Sequence, residues 1–265
     1  AAPNPILALV QSLAPVVAYK ESNLESNRKV WDLYAKDWSP DRDWVVKMAG
    51  NLGDEWKGGE ALAYVGDEWS DRASLQRVLD DFLLPYVSPG GVVAEIGSGG
   101  GRIASRVVPL CGTFHCLDIS REMLKKAREA ISKAGLDKET TVHYTPIDNN
   151  LLPEPLADSL DFVYAFDTFP HCDTHTIFSY LKEMKRVLKK DGRALVHTSN
   201  ILAPRGFARF AQQKGASVQG FCFTSPDVVR FLAAQAGFAV EKESDTSVDN
   251  IYYQRDYLCI LRHAE

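Results

Sequence analysis

The sequence predicts an α/β protein, a mostly parallel sheet preceded by a helical cap, and three observations carry that prediction. From Gly91 onward, short apolar runs alternate with amphipathic stretches, as successive βα units do. The first of these runs passes into a glycine-rich turn and then a helix start. Near the end, the runs 238–243 and 256–262 are separated by only about a dozen residues, mostly polar, too few for a crossover helix with its loops. Those last strands must therefore pair antiparallel.

Composition narrows the class further. The chain has 265 residues, of which 45% are hydrophobic and 25% charged, and this excludes fibrous and disordered proteins. A chain of this length buries about 75% of its unfolded surface, so its core needs no metal or disulfide staple. Thirty Lys and Arg against thirty-five Asp and Glu give a net charge of -5, which offers no general attraction for polyanions. Nucleic acid is not expected as a partner. The apolar run 6–17 is interrupted by Gln11, Ser12 and Pro15 and falls short of the ~20 residues of a spanning helix, so no membrane association is expected. Nothing basic precedes Lys20 to make a secretory signal. An intracellular, cytoplasmic protein is expected, or an organellar one if a targeting peptide has been removed. Cys111, Cys116, Cys172, Cys222 and Cys259 contain no CxxC pair and read as reduced thiols, most of them in the core.

Residues 1–84 show no strand-like alternation. Helical stretches at 24–34 and 70–84 flank a segment rich in Trp, Asp and Gly, and the whole reads as an N-terminal, Trp-rich cap or lid over a body at 85–265. Strands are expected at 92–96, 113–117, 141–147, 160–166 and 193–198, most of them nearly continuous apolar runs, as buried parallel strands are. Between them, Met123, Leu124, Ala127 and Ile131 share one face of a helix capped by Ser120. A second helix is expected over 176–190, with Gly192 as its stop. A third begins with Ser225 as cap and Pro226 in its first turn and exits at Gly237.

The glycine turn, Glu95-Ile-Gly97-Ser-Gly99-Gly-Gly101, follows a buried strand, where glycines let backbone approach a ligand closely. A dinucleotide fingerprint counted from Gly97 needs a small residue at 102, and the sequence has Arg102. Two further acids end strands: Asp118, positioned to accept both hydroxyls of a ribose, and Asp148, which with Asn149 could read an adenine edge. Three strand ends thus converge on a nucleoside-shaped site.

On these residues, 91–263 resembles a class I S-adenosylmethionine-dependent methyltransferase. Glu95 to Gly101 match that family's first motif, Asp118 its ribose acid, Ile147-Asp148-Asn149 its adenine motif, and Asp161 to Asp167 its fourth strand. The resemblance implies a Rossmann-like sheet of seven strands with the last reversed, holding S-adenosyl-L-methionine and releasing S-adenosyl-L-homocysteine. It carries the family's backbone ligands to Gly97, Ser98 and Gly99, and places Ile119 and Met123 against the adenine.

Methyl transfer needs mainly a nucleophile held in line with an activated methyl, plus a base where the acceptor has a proton to lose. The fourth strand leads into Asp167-Thr-Phe-Pro-His171, and the fifth ends in His197-Thr-Ser-Asn200. Such a pairing resembles one small-molecule branch of the family. His171 is the expected base, because imidazole titrates near neutrality, with Asp167 and His197 beside it. No metal is expected: the metal-dependent branch sets acids and an Asn on a hard cation, and only Asp167 with Asn200 echoes it.

Around the crevice, Trp31, Tyr34, Trp38, Tyr64 and Trp69 are placed to wall the site, Trp69 on the cofactor side and Trp38 and Tyr64 toward the acceptor. The alternative is that these rings only glue the cap to the sheet. Arg72 is a candidate grip for the methionine carboxylate or an acidic substrate. An insertion at 201–223, with Arg205, Phe207, Phe210, Gln219 and Phe221, and the loop of Tyr252, Tyr253 and Arg255 should complete a pocket for a small acceptor bearing a carboxylate or phosphate. The expected function is methyl transfer to an O, N or S atom of a small molecule. The rivals are a non-catalytic S-adenosylmethionine-binding module and a nicotinamide-dependent oxidoreductase.

Overall fold

The structure is a computed structural model and describes residues 23–52, 62–215 and 220–265. Seven strands form one sheet: β1 (Val92–Ile96), β2 (Thr113–Asp118), β3 (Thr141–Pro146), β4 (Leu160–Ala165), β5 (Leu188–Ser199), β6 (Phe238–Glu243) and β7 (Asp256–His263). Their order is β3-β2-β1-β4-β5-β7-β6. Neighbours among β1 to β5 pair parallel, whereas β7 runs antiparallel to both β5 and β6. The expected reversal of the last strand is present, and the order changes direction at β1 and β4, where a crevice opens beyond the strand ends.

Alternation along the strands assigns the two faces. On one, Ile177, Leu181 and Met184 of α6 (Thr174–Val187) and Val229 and Ala233 of α8 (Pro226–Gln235) pack on Ala94, Val163, Ala194 and Val196. On the other, Leu75 and Val78 of α3 (Arg72–Val78), Val107 of α4 (Ala104–Val107) and Leu124 and Ile131 of α5 (Arg121–Lys133) pack on Val93, Phe114, Phe162 and Leu195. Beyond α3 the chain runs through a wide turn, Leu79–Leu83, whose Phe82 is fully buried there. Truncating such a ring to Ala costs about 3–5 kcal/mol.

The N-terminal helices α1 (Asn23–Asp37) and α2 (Asp43–Gly50) have a small core of their own, in which Ala35, Trp38, Val45, Ala49 and Val65 meet Met123 of α5. The expected cap at 1–84 therefore divides: residues 72–84 belong to the sheet's own packing. The apolar run 6–17, Trp56 and Gln219 lie outside the described residues.

Other expectations shift at element ends. The helix expected over 176–190 starts earlier, because Asp173 accepts a bond from the Thr176 N–H at 2.8 Å, and stops at Val187, because Leu188 is already paired with Leu160 of β4. Gly192 is inside β5 rather than a helix stop. Ser225 precedes α8 but makes no capping bond; Pro226 and Gly237, at φ 84°, mark its two ends. The insertion contains an unforeseen helix, α7 (Pro204–Gln212), whose Gly206 is required because a Cβ there would overlap the Asn200 carbonyl. Among the described residues no helix is long and apolar enough to cross a membrane.

Candidate active site

The glycine turn is tied to the end of β2, where the Leu117 carbonyl accepts from the N–H of Gly97 at 2.7 Å and of Ser98 at 3.2 Å. Gly97 and Gly99 take φ of 72° and 52°, in the left-handed region. At Gly97 a Cβ would collide with the Thr168 side chain, whereas at Gly99 it would meet nothing within 4 Å and enter open space. Asp118 closes the turn from below, its Oδ2 accepting from the Gly99 N–H and its Oδ1 from the Ser120 N–H, both at 2.7 Å. Burial pushes its carboxyl up to about 6. Behind the turn, burial also holds Glu95 well above the usual carboxylate range. Glu95 Oε2 and Ser98 Oγ are buried without a protein partner.

A cavity of about 880 Å³ opens over this turn. Glu95, Gly97, Ser98, Gly99, Asp118, Ile119, Met123 and Trp69 line it, together with Ile147, Arg102 and, from α1, Asn27 and Trp31. A second cavity of about 1180 Å³ adjoins it, walled by Tyr34, Glu68, Arg209, Phe221, Tyr252 and Arg255. Among the described residues four belong to both: Trp31, Trp69, Asp167 and His171.

His171 sits between the rings of Trp31 and Phe221, at 5.1 and 5.5 Å between centroids. Its Nδ1 is 3.1 Å from the Gly220 carbonyl, which can only accept, so the neutral ring carries its proton on Nδ1 and keeps the lone pair on Nε2. Burial lowers its pKa to about 4, so the ring is neutral at pH 7. Asp167 stands in the left-handed region at φ 54° and is held at several points. Its Oδ2 accepts from Arg102 at 3.1 Å and from the Tyr252 hydroxyl at 3.2 Å, and its N–H donates to His197 Nδ1 at 3.0 Å. Arg102 is itself buried, donating to Ser70 Oγ at 2.6 Å. Burial opposes its charge, but Tyr252, Asp167 and Asp67 hold the guanidinium's pKa above its ordinary value.

Several expected site residues lie elsewhere. His197 is 0% exposed and cannot touch a substrate; its Nε2 lies 3.1 Å from Asp256 Oδ2. Asp148 and Asn149 line neither cavity: the Asp148 carboxylate is exposed, 3.6 Å from Arg28, and Asn149 Oδ1 accepts from the Leu151 N–H at 3.4 Å. Arg28 instead straps α1 to the strand ends, donating to the carbonyls of Ile119, Ile147 and Asp148 at 3.2, 3.3 and 3.0 Å. Trp38 is buried in the cap, its Nε1 on Glu68. Tyr64 and Arg72 line neither cavity, Arg72 being on the exposed start of α3. The Asn200 amide oxygen is used by the Leu202 N–H at 3.0 Å, and Arg205 is exposed on α7. Tyr253 turns to Asp81, 3.0 Å away, and away from both cavities. Arg102, Glu68 and Arg209 are among the wall residues that the sequence did not mark. Of these only Arg102 left a trace, as the residue directly after the glycine turn.

A glycine turn over a strand-end acid, on a sheet with a reversed last strand, is a fold that this chain shares with solved S-adenosylmethionine-dependent methyltransferases. Residues 93–192 match the family model described as a methyltransferase domain. Magnesium protoporphyrin IX methyltransferase from Synechocystis, solved with S-adenosylhomocysteine bound, has a similar structure at a TM-score of 0.63 and 14% identity, covering 92% of this chain and 100% of that one. A Clostridium acetobutylicum S-adenosylmethionine-dependent methyltransferase matches at a TM-score of 0.58 and 9% identity, over 84% of this chain and 100% of its own. The CcbJ methyltransferase from Streptomyces caelestis matches at 0.52 and 17% identity, over 68% and 92% of the two chains. Among the described residues no group of three or more His, Cys, Asp or Glu could hold a metal ion.

Proposed function

We propose that the protein transfers a methyl group from S-adenosylmethionine to an O, N or S atom of a small molecule held in the second cavity. The observation that carries this reading is the shared wall: Trp31, Trp69, Asp167 and His171 border both cavities, so groups bound in the two meet there. The cofactor fits the first cavity. Gly99 leaves open space where any side chain would project, and Ser98 Oγ and Glu95 Oε2 offer buried, unpartnered polar atoms. Asp118 would take the ribose hydroxyls, Ile119, Met123 and Ile147 would flank the adenine, and Gly97 to Gly99 would lie along the methionine portion. When bound, the cofactor supplies a methyl already activated on a sulfonium.

The chain supplies alignment and proton handling. His171 offers a neutral Nε2 lone pair to take the proton of an oxygen or nitrogen acceptor, and Asp167, locked by Arg102 and Tyr252, sets a fixed hydrogen-bond acceptor beside it. His197 acts through Asp167 as a positioning residue. The cap rings Trp31 and Trp69 exclude water from the junction. A turnover assay with S-adenosylmethionine and a panel of small amines, phenols, acids and thioethers tests the proposal, with S-adenosylhomocysteine release dependent on one acceptor class as the expected result. Tight S-adenosylhomocysteine binding with no turnover across the panel would favour a non-catalytic binding module.

A further inference from the structure

The acceptor cavity is bipolar in charge. Among the described residues its wall carries four charged side chains, Glu68, Asp167, Arg209 and Arg255, and two of them are neutralised locally. Arg255 makes a bidentate pair with Asp256, at 2.6 to 3.0 Å, and Asp167 is bonded to Arg102. Arg209, on the solvent-open side of α7, is stacked over Phe221 at 4.1 Å and has no acidic partner at ion-pair distance among the described residues. Stacking leaves the edge of a guanidinium free, and that edge matches a carboxylate bidentately.

On the cap side, Glu68 is buried and accepts four bonds, from Tyr34, twice from Trp38 and from the Gly66 N–H, with no cation beside it among the described residues. In front of it Trp31, Tyr34 and Trp69 form a triad with centroids 5.6 to 5.9 Å apart. Tyr34 donates to Glu68 at 2.6 Å and Trp69 donates to Tyr34 at 2.9 Å, so both rings are oriented by the carboxylate. Ring faces backed by an uncompensated carboxylate attract a positive centre. Tyr34 and Glu68 border only the second cavity, so this charge belongs to the acceptor side.

The geometry points to a small zwitterionic acceptor of the amino-acid type, its carboxylate read by Arg209 and its cationic end held against Trp31, Tyr34 and Trp69 in front of Glu68. This rests on the methyl-transfer reading of the paired cavities. The test is calorimetric titration of the full chain saturated with S-adenosylhomocysteine, using glycine betaine, choline and 3,3-dimethylbutyrate, which carry both charges, the positive one and the negative one respectively. Betaine should bind at least tenfold tighter than either of the others. R209Q, a change on the exposed face of α7, should bring betaine to the level of choline and leave choline unchanged, and E68Q should bring it to the level of dimethylbutyrate. Choline or dimethylbutyrate binding as tightly as betaine, no binding of betaine, or R209Q without effect on it, would overturn the charge reading while S-adenosylhomocysteine binding still supports the methyltransferase. Failure of S-adenosylhomocysteine to bind would overturn both.

Discussion

The backbone N–H of Asp167 donates to Nδ1 of His197 at 3.0 Å, and this bond joins a strained residue at the junction of two cavities to a fully buried ring. A left-handed non-glycine residue costs on the order of 1–2 kcal/mol and persists only where its surroundings over-determine it. At Asp167 they do: His197, Arg102 and Tyr252 each hold one of its groups. His197 must keep its proton on Nε2 to accept at Nδ1, and Asp256, 3.1 Å away, favours that form. Burial would raise the Asp256 carboxyl, but Arg255 and His197 hold it below its ordinary value.

His197→Phe keeps the ring but loses the acceptor. It should destabilise the protein by about 1–3 kcal/mol, the cost of an orphaned buried N–H, measured as a shift of the urea midpoint. Because His197 acts through Asp167, kcat should fall while S-adenosylhomocysteine affinity stays within a few-fold of wild type. Unchanged kcat would make the bond purely structural.

Asp118→Ala should weaken S-adenosylhomocysteine binding by about 10- to 100-fold, the scale of a lost charged hydrogen-bond partner. The same residue gives a pH dependence. Its folded pKa is about 6 against an ordinary 3.8, and under the proposed function the ionised form is the one that would accept ribose hydroxyls. Affinity measured by calorimetry should therefore be full well above pH 6 and decline as the pH falls through about 6. A flat profile would show that Asp118 does not contact the ribose.

His171→Gln should lower turnover by about 10²–10⁴-fold for an acceptor that loses a proton, with cofactor binding nearly intact. A collapse of cofactor affinity would move His171 into the cofactor's own contacts. Stability reports on the same ring. With a folded pKa near 4 and an ordinary value of 6.5, the folded state resists protonation, so its contribution is complete above 6.5 and lost as pH falls toward 4. The loss amounts to on the order of 3 kcal/mol, and His171→Gln should flatten that acid limb in urea titrations.

Gly97→Ala and Gly99→Ala should separate folding from binding. Both force a left-handed alanine, but only residue 97 meets protein, at Thr168, whereas a methyl at 99 enters the cavity. Gly97→Ala should lower the thermal midpoint much more than Gly99→Ala, while both abolish tight S-adenosylhomocysteine binding. Full binding by Gly99→Ala would place the cofactor elsewhere.

Legibility in the sequence followed locality. Strand runs, the glycine turn and the antiparallel ending depend on near neighbours, and β1 to β7 all fall where the sequence put them, with β5 longer because a bulge between Leu160 and Phe162 lets Leu188 pair early. Asp118 and Gly97 were readable because their surroundings are set within one βα unit. Asp148 has the same kind of position, yet Arg28, 120 residues away in sequence, engages its carbonyl, and its carboxylate faces outward. Glu68, Arg102 and Arg209 act through partners on other elements, which no spacing rule reveals. Trp38 shows the limit for aromatic residues: nothing in composition tells a ring that walls a cavity, as Trp69 does, from one that binds the cap together.

Under the proposed function the glycine turn and Asp118 form a nucleoside site next to an acceptor cavity. The most direct test of that site is calorimetric titration with S-adenosylhomocysteine, with NADH and NADPH as controls on the same preparation. One-site, micromolar binding of S-adenosylhomocysteine alone, lost in Asp118→Ala, is the predicted result. Binding of a nicotinamide nucleotide in its place, or S-adenosylhomocysteine binding untouched by Asp118→Ala, would contradict it.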